Sequence, residues 1–270
     1  MRLRNILKVL ARSRSLRFTM NAVRAVPATS LARIRWRGHD IFYRPGTSDP
    51  FAIYQVLLRS GHKAEYYLPP ALNPKVIVDV GSNIGASILS FHHQFPSARI
   101  FGFEPHPETF RILQSNVGGL PLVLVFNYAL GSKDAAVSVP FEGLDFSGFA
   151  VRIESEKSKP QIGETLCEMK HAGTVLSELG VTKVDLLKID CEGAESDIFA
   201  ALPQELLQQC KWIVGEMHDT SGFKLLASLA PHFDLDLKKR MFSPFFRFHA
   251  CNLVNTPELR DTFDRNALQV

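Results

Sequence analysis

Three carboxylates stand at or beside the ends of short apolar runs: Asp79 in VIVDV (76–80), Glu104 after RIFGF (99–103) and Asp190 after LLKI (186–189). A fourth run, IVGEMH (213–218), ends in Glu216 and His218, which lie two apart and so share one face of a strand. Gly81 and Gly85 follow the first run in the pattern D-x-G-x-x-x-G. Carboxylates and an imidazole move protons near neutral pH. A glycine turn between a strand and a helix brings backbone N–H groups close to a bound ligand. The set suits a pocket that holds a ribose-bearing ligand and handles a proton beside it.

Spacing narrows the ligand. Glu104 lies 19 residues past Gly85, at the end of the next apolar run, where a carboxylate accepts hydrogen bonds from both hydroxyls of a ribose. A dinucleotide fingerprint needs G-x-G-x-x-G, because its middle glycine lets the backbone reach a pyrophosphate. Asn83 occupies that position and would crowd a pyrophosphate. The turn suits a cofactor with no phosphate, whose cationic centre and amino-acid end rest against it, and S-adenosylmethionine fits better than NAD. Gly81 and Gly85 then form the floor of the site. Asp79 faces the amino-acid end or orients the turn. Asn83 hydrogen-bonds that end or serves the turn alone. Asn127, after the third strand, touches adenine or is an ordinary turn residue.

These residues need a scaffold. Asp49-Pro50 reads as a helix start, with the helix over 51–58. Strands at 76–80, 99–103 and 122–127 alternate with helices at 84–95 and 107–117. Strands at 184–190 and 211–217 alternate with helices at 194–202 and 222–230. Residues 135–141 alternate at period two, like a hairpin arm; 142–163 read as a loop or lid, and 174–179 as a short connector. Residues 233–237 and 245–251 read as an antiparallel pair that closes the sheet. Strands alternating with helices imply an α/β fold with parallel pairing. Ligands of such sheets bind beyond the carboxyl ends of the strands, so Asp79, Glu104 and Asp190 converge on one edge.

VDVGSNIG (78–85), FEP (103–105), LKIDCEGAE (187–195) and IVGEMH (213–218), with YRPGTSD (43–49) upstream, resemble the FkbM family of S-adenosylmethionine-dependent methyltransferases. The resemblance spans about residues 43–250, and LKIDCEGAE is its specific part. It implies a Rossmann-like class I methyltransferase sheet, mostly parallel with an antiparallel C-terminal strand pair, and helices on both faces. It also implies O-methylation of a hydroxyl on a sugar, glycan or polyketide-type acceptor. Asp190 and Glu192 would then flank the transferable methyl. Asp190 holds the methionine end or orients the acceptor, and it counts both as a cofactor residue and as a catalytic one. His218 is the preferred general base, since its unperturbed pKa lies near neutrality. Glu192 is the next candidate, although a carboxylate at a helix N-terminus is favoured there by the dipole alone. Lys188 lies within a strand and would neutralise the acids if it reached them. Asp190, Glu216 and His218 could also hold a divalent metal; the metal-free version is preferred.

Charge is unevenly placed. Residues 1–40 carry ten Lys or Arg and one acid, Asp40, for a net +9, and the remainder carries −5. The expected division is a basic N-terminal helical arm over 1–70, the Rossmann-like domain over 71–255 and a C-terminal tail over 256–270. The arm would contact an anionic membrane or carrier, or be a solvated extension, and removing residues 1–38 should spare cofactor binding. No specific nucleic acid partner is expected. Lys8 and Arg12 interrupt any secretory h-region. The four cysteines form no CxxC pair, so a reducing cytoplasm fits. Two rival readings are an NAD-dependent oxidoreductase, which Asn83 opposes, and a non-catalytic binding module on the same fold.

Overall fold

The apolar runs become the centre of a sheet. In the computed structural model, the described residues are 3–23, 30–140, 152–153, 164–191, 193–218, 222–239 and 246–259. The chain opens with helices α1 (Leu3–Ser13) and α2 (Leu16–Val23), then a hairpin of β1 (Ala32–Trp36) and β2 (His39–Tyr43). A short helix α3 (Asp49–Ile53) continues as a π-turn over Tyr54–Leu58. The alternating part follows as β3 (Val76–Val80), α4 (Ala86–Gln94), β4 (Arg99–Phe103), α5 (Pro107–Val117) and β5 (Val123–Phe126). Four strands leave the main sheet: β6 (Ala129–Gly131), β7 (Ala135–Pro140), β8 (Arg152–Ile153) and β9 (Glu164–His171). Alternation resumes with α6 (Ala172–Glu178), β10 (Leu186–Ile189), α7 (Glu195–Ala201), α8 (Gln204–Gln209), β11 (Trp212–Met217) and α9 (Gly222–Leu229). The pair β12 (Asp234–Lys239) and β13 (Phe246–Cys251) ends it.

The main sheet runs in the order β12-β13-β11-β10-β3-β4-β5. Pairs β11–β10, β10–β3, β3–β4 and β4–β5 are parallel, and β13 is antiparallel to both β11 and β12. This is the expected Rossmann-like sheet with its antiparallel C-terminal pair. The chain leaves β3 to one side through β4 and β5 and returns on the other through β10 and β11. The point where strand order reverses therefore lies between β3 and β10, where ligands of open α/β sheets bind.

Period-two alternation splits the core between two faces. Ile77, Ile100 and Leu186 point to one face, with Ile88 of α4 and Leu113 of α5. Val78, Phe101 and Leu187 point to the other, under Val175 of α6, Ile198 of α7 and Leu225 of α9.

The N-terminal segment corrects the expected arm. Residues 32–43 form a hairpin rather than a helix, turning on Arg37 (φ 46°) and Gly38 (φ 93°) as a two-residue turn requires. Phe18, Ile34, Ile41, Tyr43 and Ile53 are fully or almost fully buried in the same cluster as Ile77 and Ile88. The segment is thus one wall of the core. Removing residues 1–38 would strip Val9, Phe18, Ala32 and Ile34 from it, so that truncation should destabilise the fold. The signal in the sequence was the alternation in ARIRW and HDIFY, masked by the charge of Arg33 and Arg35 on the outer face.

YRPGTSD acts as a staple. Asp49 is fully buried and accepts from the Arg44 backbone N–H at 2.8 Å, from Nε at 3.0 Å and from Nη2 at 2.8 Å. Arg44 Nη1 also donates to Thr109 Oγ1 at 3.1 Å, tying the entry of α3 to α5.

The smaller sheet, in the order β6-β9-β7-β8, was foreseen only in part. Residues 135–140 pair with β9, which the sequence reading did not assign. Of the expected loop over 142–163, only residues 152–153 are described, as a strand on β7. The connector at 174–179 is mostly helix α6, capped by His171 Nδ1 accepting from the Thr174 N–H at 3.2 Å. Among the described residues, no helix is long and apolar enough to cross a membrane.

Candidate active site

The turn after β3 is built as its residue types demand. Gly81 (φ 75°), Asn83 (φ 47°) and Gly85 (φ 89°) are left-handed, a region open to glycine and tolerated by asparagine. A Cβ on Gly81 would lie 1.9 Å from the backbone oxygen of Asp190. The ends of β3 and β10 therefore approach each other more closely than any side chain allows. Gly85 caps α4, and a Cβ there would press on Leu113 and Val117.

Asp79 braces this turn from below. It is fully buried, accepts from Ser87 Oγ on α4, and has Lys188 Nζ 3.1 Å from Oδ1. Asp79 and Lys188 are paired across β3 and β10 in the sheet register. Lys188 also donates to the carbonyls of Val80 at 3.0 Å and Gly81 at 2.5 Å, clamping the strand end. Burial pulls its pKa down, but the charges of Asp79 and then Asp190 outweigh it and leave the pKa raised. Lys188 thus does reach the acids and remains an ammonium.

Glu104 sits beyond β4 with its carboxylate fixed at both oxygens. Oε2 accepts from the Asn83 N–H at 3.0 Å, and Oε1 accepts from the His106 N–H at 2.9 Å. It therefore links the glycine turn to the start of α5. Asn127 holds the adjoining backbone: its amide nitrogen donates to the carbonyls of Glu104 and Pro105, each at 2.9 Å. Its amide nitrogen thereby supports the loop that carries Glu104. Asn83 Oδ1 is buried and has no hydrogen-bond partner among the described residues. A buried acceptor costs free energy until a donor meets it, and an ammonium or ribose hydroxyl would supply one. Left-handed glycines, a braced carboxylate and an orphaned acceptor fit a nucleoside with an amino-acid tail.

On the β10 and β11 side the acids meet a histidine. His218, almost fully buried, has Nδ1 2.8 Å from Glu195 Oε1. A carboxylate only accepts, so Nδ1 carries the hydrogen and Nε2 is the acceptor nitrogen of the neutral ring. Nε2 lies 3.6 Å from Asp190 Oδ1 and 4.0 Å from Glu216 Oε2. Asp190, Glu216 and His218 each offer one ligand atom, all within 4.8 Å of one another.

Each acid has an outer partner. Tyr66 donates its hydroxyl to Asp190 in a very short contact. Burial, then the charges of Asp190 and Glu216, push the Tyr66 pKa well above its ordinary value, so it stays a donor. Arg247 on β13, opposite Glu216 in the register, bonds Glu216 through Nε at 2.5 Å and also pairs with Glu65. Burial first, and Arg59 second, lower the Arg247 pKa to about 10, which keeps it charged near neutrality. Glu195 also accepts from the N–H groups of Cys191 at 3.1 Å and Gly193 at 3.0 Å, bracing the loop between Asp190 and α7.

Of the expected catalytic residues, Asp190 and His218 come together, while Glu192 lies outside the described residues. Sequence reasoning missed Glu195, Tyr66, Glu65 and Arg247 as members of the site. Glu195 was the last letter of LKIDCEGAE, the one signal available. Tyr66 and Glu65 stood in the stretch read as the end of the basic N-terminal arm over 1–70.

The profile of the methyltransferase FkbM domain matches residues 79–249, more than half of the chain. The chain is 29% identical over 185 residues to the AMB antimetabolite synthetase AmbE of Pseudomonas aeruginosa, matching 56% of this chain but 9% of that protein. It is 28% identical over 177 residues to the 2-O-methyltransferase NoeI of Sinorhizobium fredii, covering 59% of this chain and 72% of that one. It is 26% identical over 173 residues to the 31-O-demethyl-FK506 methyltransferase FkbM of Streptomyces tacrolimicus, covering 54% and 66%.

Proposed function

This chain belongs to the FkbM methyltransferase family, and on that premise we propose that it methylates a hydroxyl oxygen of a sugar, glycan or polyketide-type acceptor with S-adenosylmethionine as donor. The observation that carries this reading is the Glu195–His218 pair beside Asp190, which follows β10, one of the two strands between which strand order reverses. The names of two relatives place a methyl group on oxygen, which supports the same atom here.

When bound, the sulfonium of the donor supplies an electrophilic methyl, so the protein's task is alignment and proton removal. Gly81 and Gly85 let the backbone lie against the donor, Glu104 takes the ribose hydroxyls, and Asn83 Oδ1 takes a donor hydrogen. The acceptor hydroxyl lies against His218 Nε2. Glu195 holds the ring by its Nδ1 hydrogen, and Nε2 takes up the hydroxyl proton. Asp190, kept in place by Tyr66, and Glu216, kept in place by Arg247, stabilise the imidazolium that results.

Calorimetry tests the donor site. S-adenosylhomocysteine should bind and NAD should not; the reverse outcome overturns the reading. Glu104→Ala should weaken S-adenosylhomocysteine binding by ~1.5–3 kcal/mol, the range for hydrogen bonds to a charged group. An unchanged affinity would remove Glu104 from the ribose site. Mass spectrometry with labelled donor and hydroxylated acceptors reads the transfer itself.

A second reading rests on the three ligand atoms within 4.8 Å: a divalent cation there would lower the acceptor's pKa in place of the histidine base. Loss of activity with a chelator, restored by Mg²⁺ or Mn²⁺, would favour it. Full activity in the chelator leaves proton removal to His218.

A further inference from the structure

The N-terminal helices bury one stripe and expose another of unusual composition. In α1, Val9 and Ser13 are buried and Ile6 and Leu10 half-buried, while Arg4, Leu7, Lys8 and Ala11 face solvent at helical spacing. In α2, Phe18 and Thr19 are buried, while Leu16, Arg17 and Met20 face out. Leu7 is 57% exposed, Leu16 68% and Met20 39%, so three large apolar side chains stand in water on two adjoining helices. Arg4, Lys8, Arg14 and Arg17 are exposed around them, and no acid occurs before Asp40.

Neither half of this pattern serves the fold or the site described above. Leu7 and Leu16 lie outside the core cluster that the segment joins. The cations have no carboxylate in their own segment to pair with. A soluble polyanion would answer the cations and leave the leucines wet. An anionic lipid surface answers both: headgroup phosphates take the guanidinium and ammonium groups, and the upper acyl region takes Leu7, Leu16 and Met20. Two short helices with a few apolar anchors give reversible binding in the plane of the interface, not insertion.

We infer that the outward face of α1 and α2 docks the enzyme peripherally on an anionic lipid surface. Docking is independent of the methyl-transfer chemistry, since no residue of the face belongs to the crevice. Its success or failure therefore leaves the proposed reaction untouched.

The test is co-sedimentation of the full chain with vesicles of phosphatidylcholine alone and of phosphatidylcholine with about one-third phosphatidylglycerol. The wild type should partition onto the anionic vesicles, scarcely onto the neutral ones, and less as salt rises. Leu7→Glu with Leu16→Glu should reduce partitioning at least tenfold. Arg4→Gln with Lys8→Gln, Arg14→Gln and Arg17→Gln should do the same, at about fivefold per cation before saturation. All these side chains are exposed, so thermal unfolding of the variants should match the wild type and certify the fold. Failure of the wild type to bind anionic vesicles overturns the inference. So does a leucine variant that binds them as well as the wild type while the arginine variant does not, because that pattern marks a simple polyanion site.

Discussion

His218→Ala is expected to lower turnover about 10²–10⁴-fold, the usual contribution of a positioned general base, while donor affinity barely changes. His218 lies against Glu195 at 2.8 Å and Asp190 at 3.6 Å, on the β10–β11 side of the crevice. The residues assigned to the donor, Gly81, Asn83, Gly85 and Glu104, lie on the β3–β4 side. A single substitution should therefore separate chemistry from binding. The measurement pairs calorimetry with S-adenosylhomocysteine and single-turnover transfer to an identified acceptor. Glu195→Gln sharpens it: the ring keeps a hydrogen-bonding neighbour but loses the charge that favours imidazolium, so turnover should fall while donor affinity holds. Full activity in His218→Ala would move the base elsewhere, to Glu192 first.

Gly81→Ala is expected to destabilise the protein by about 3–5 kcal/mol and to abolish donor binding. Two costs add. The backbone at φ 75° is strained for any residue with a Cβ. The new carbon would also stand 1.9 Å from the Asp190 carbonyl oxygen, which is main chain and can retreat only if β10 separates from β3. Those strand ends frame the crevice, so the site is lost with the contact. Gly85→Ala is the control: its Cβ would meet only side-chain tips, Leu113 Cδ1 and Val117 Cγ1, each at 2.8 Å. Side-chain tips can rotate away, so the effect should be the smaller of the two. Urea unfolding of both variants checks the order, and equal losses would mean that strain at positive φ alone accounts for them.

Much of the crevice is legible in the sequence, because its parts are local. An apolar run of strand length with branched residues, followed by D-x-G-x-x-x-G, specifies a strand, a left-handed turn and a helix within about ten residues. The runs at 76–80 and 99–103 became strands with those bounds, and 107–117 became the helix between β4 and β5. Alternation of strand and helix then dictated parallel pairing, and parallel pairing put Gly81, Glu104 and Asp190 at one edge. The hairpin at 32–43 escaped because its basic outer face read as a charged arm, although its inner face carried the period-two pattern.

Which side chains complete the site was decided only by the tertiary structure. Tyr66 reaches Asp190 across 124 residues of sequence, Arg247 reaches Glu216 across 31, and Glu195 reaches His218 across 23. None of these pairs has a sequence period or a local dihedral preference to announce it. Each exists because strand order β13-β11-β10-β3 brings four strand ends side by side, and because the N-terminal segment packs as a wall of the same core. Strand order follows from which apolar faces bury best together over the whole chain. The sequence alone could therefore determine a glycine turn, its acids and the edge they share. Only the packed sheet could decide that Asp79 serves the turn through Lys188 and Ser87, while Glu195, from the first turn of a helix, holds the histidine.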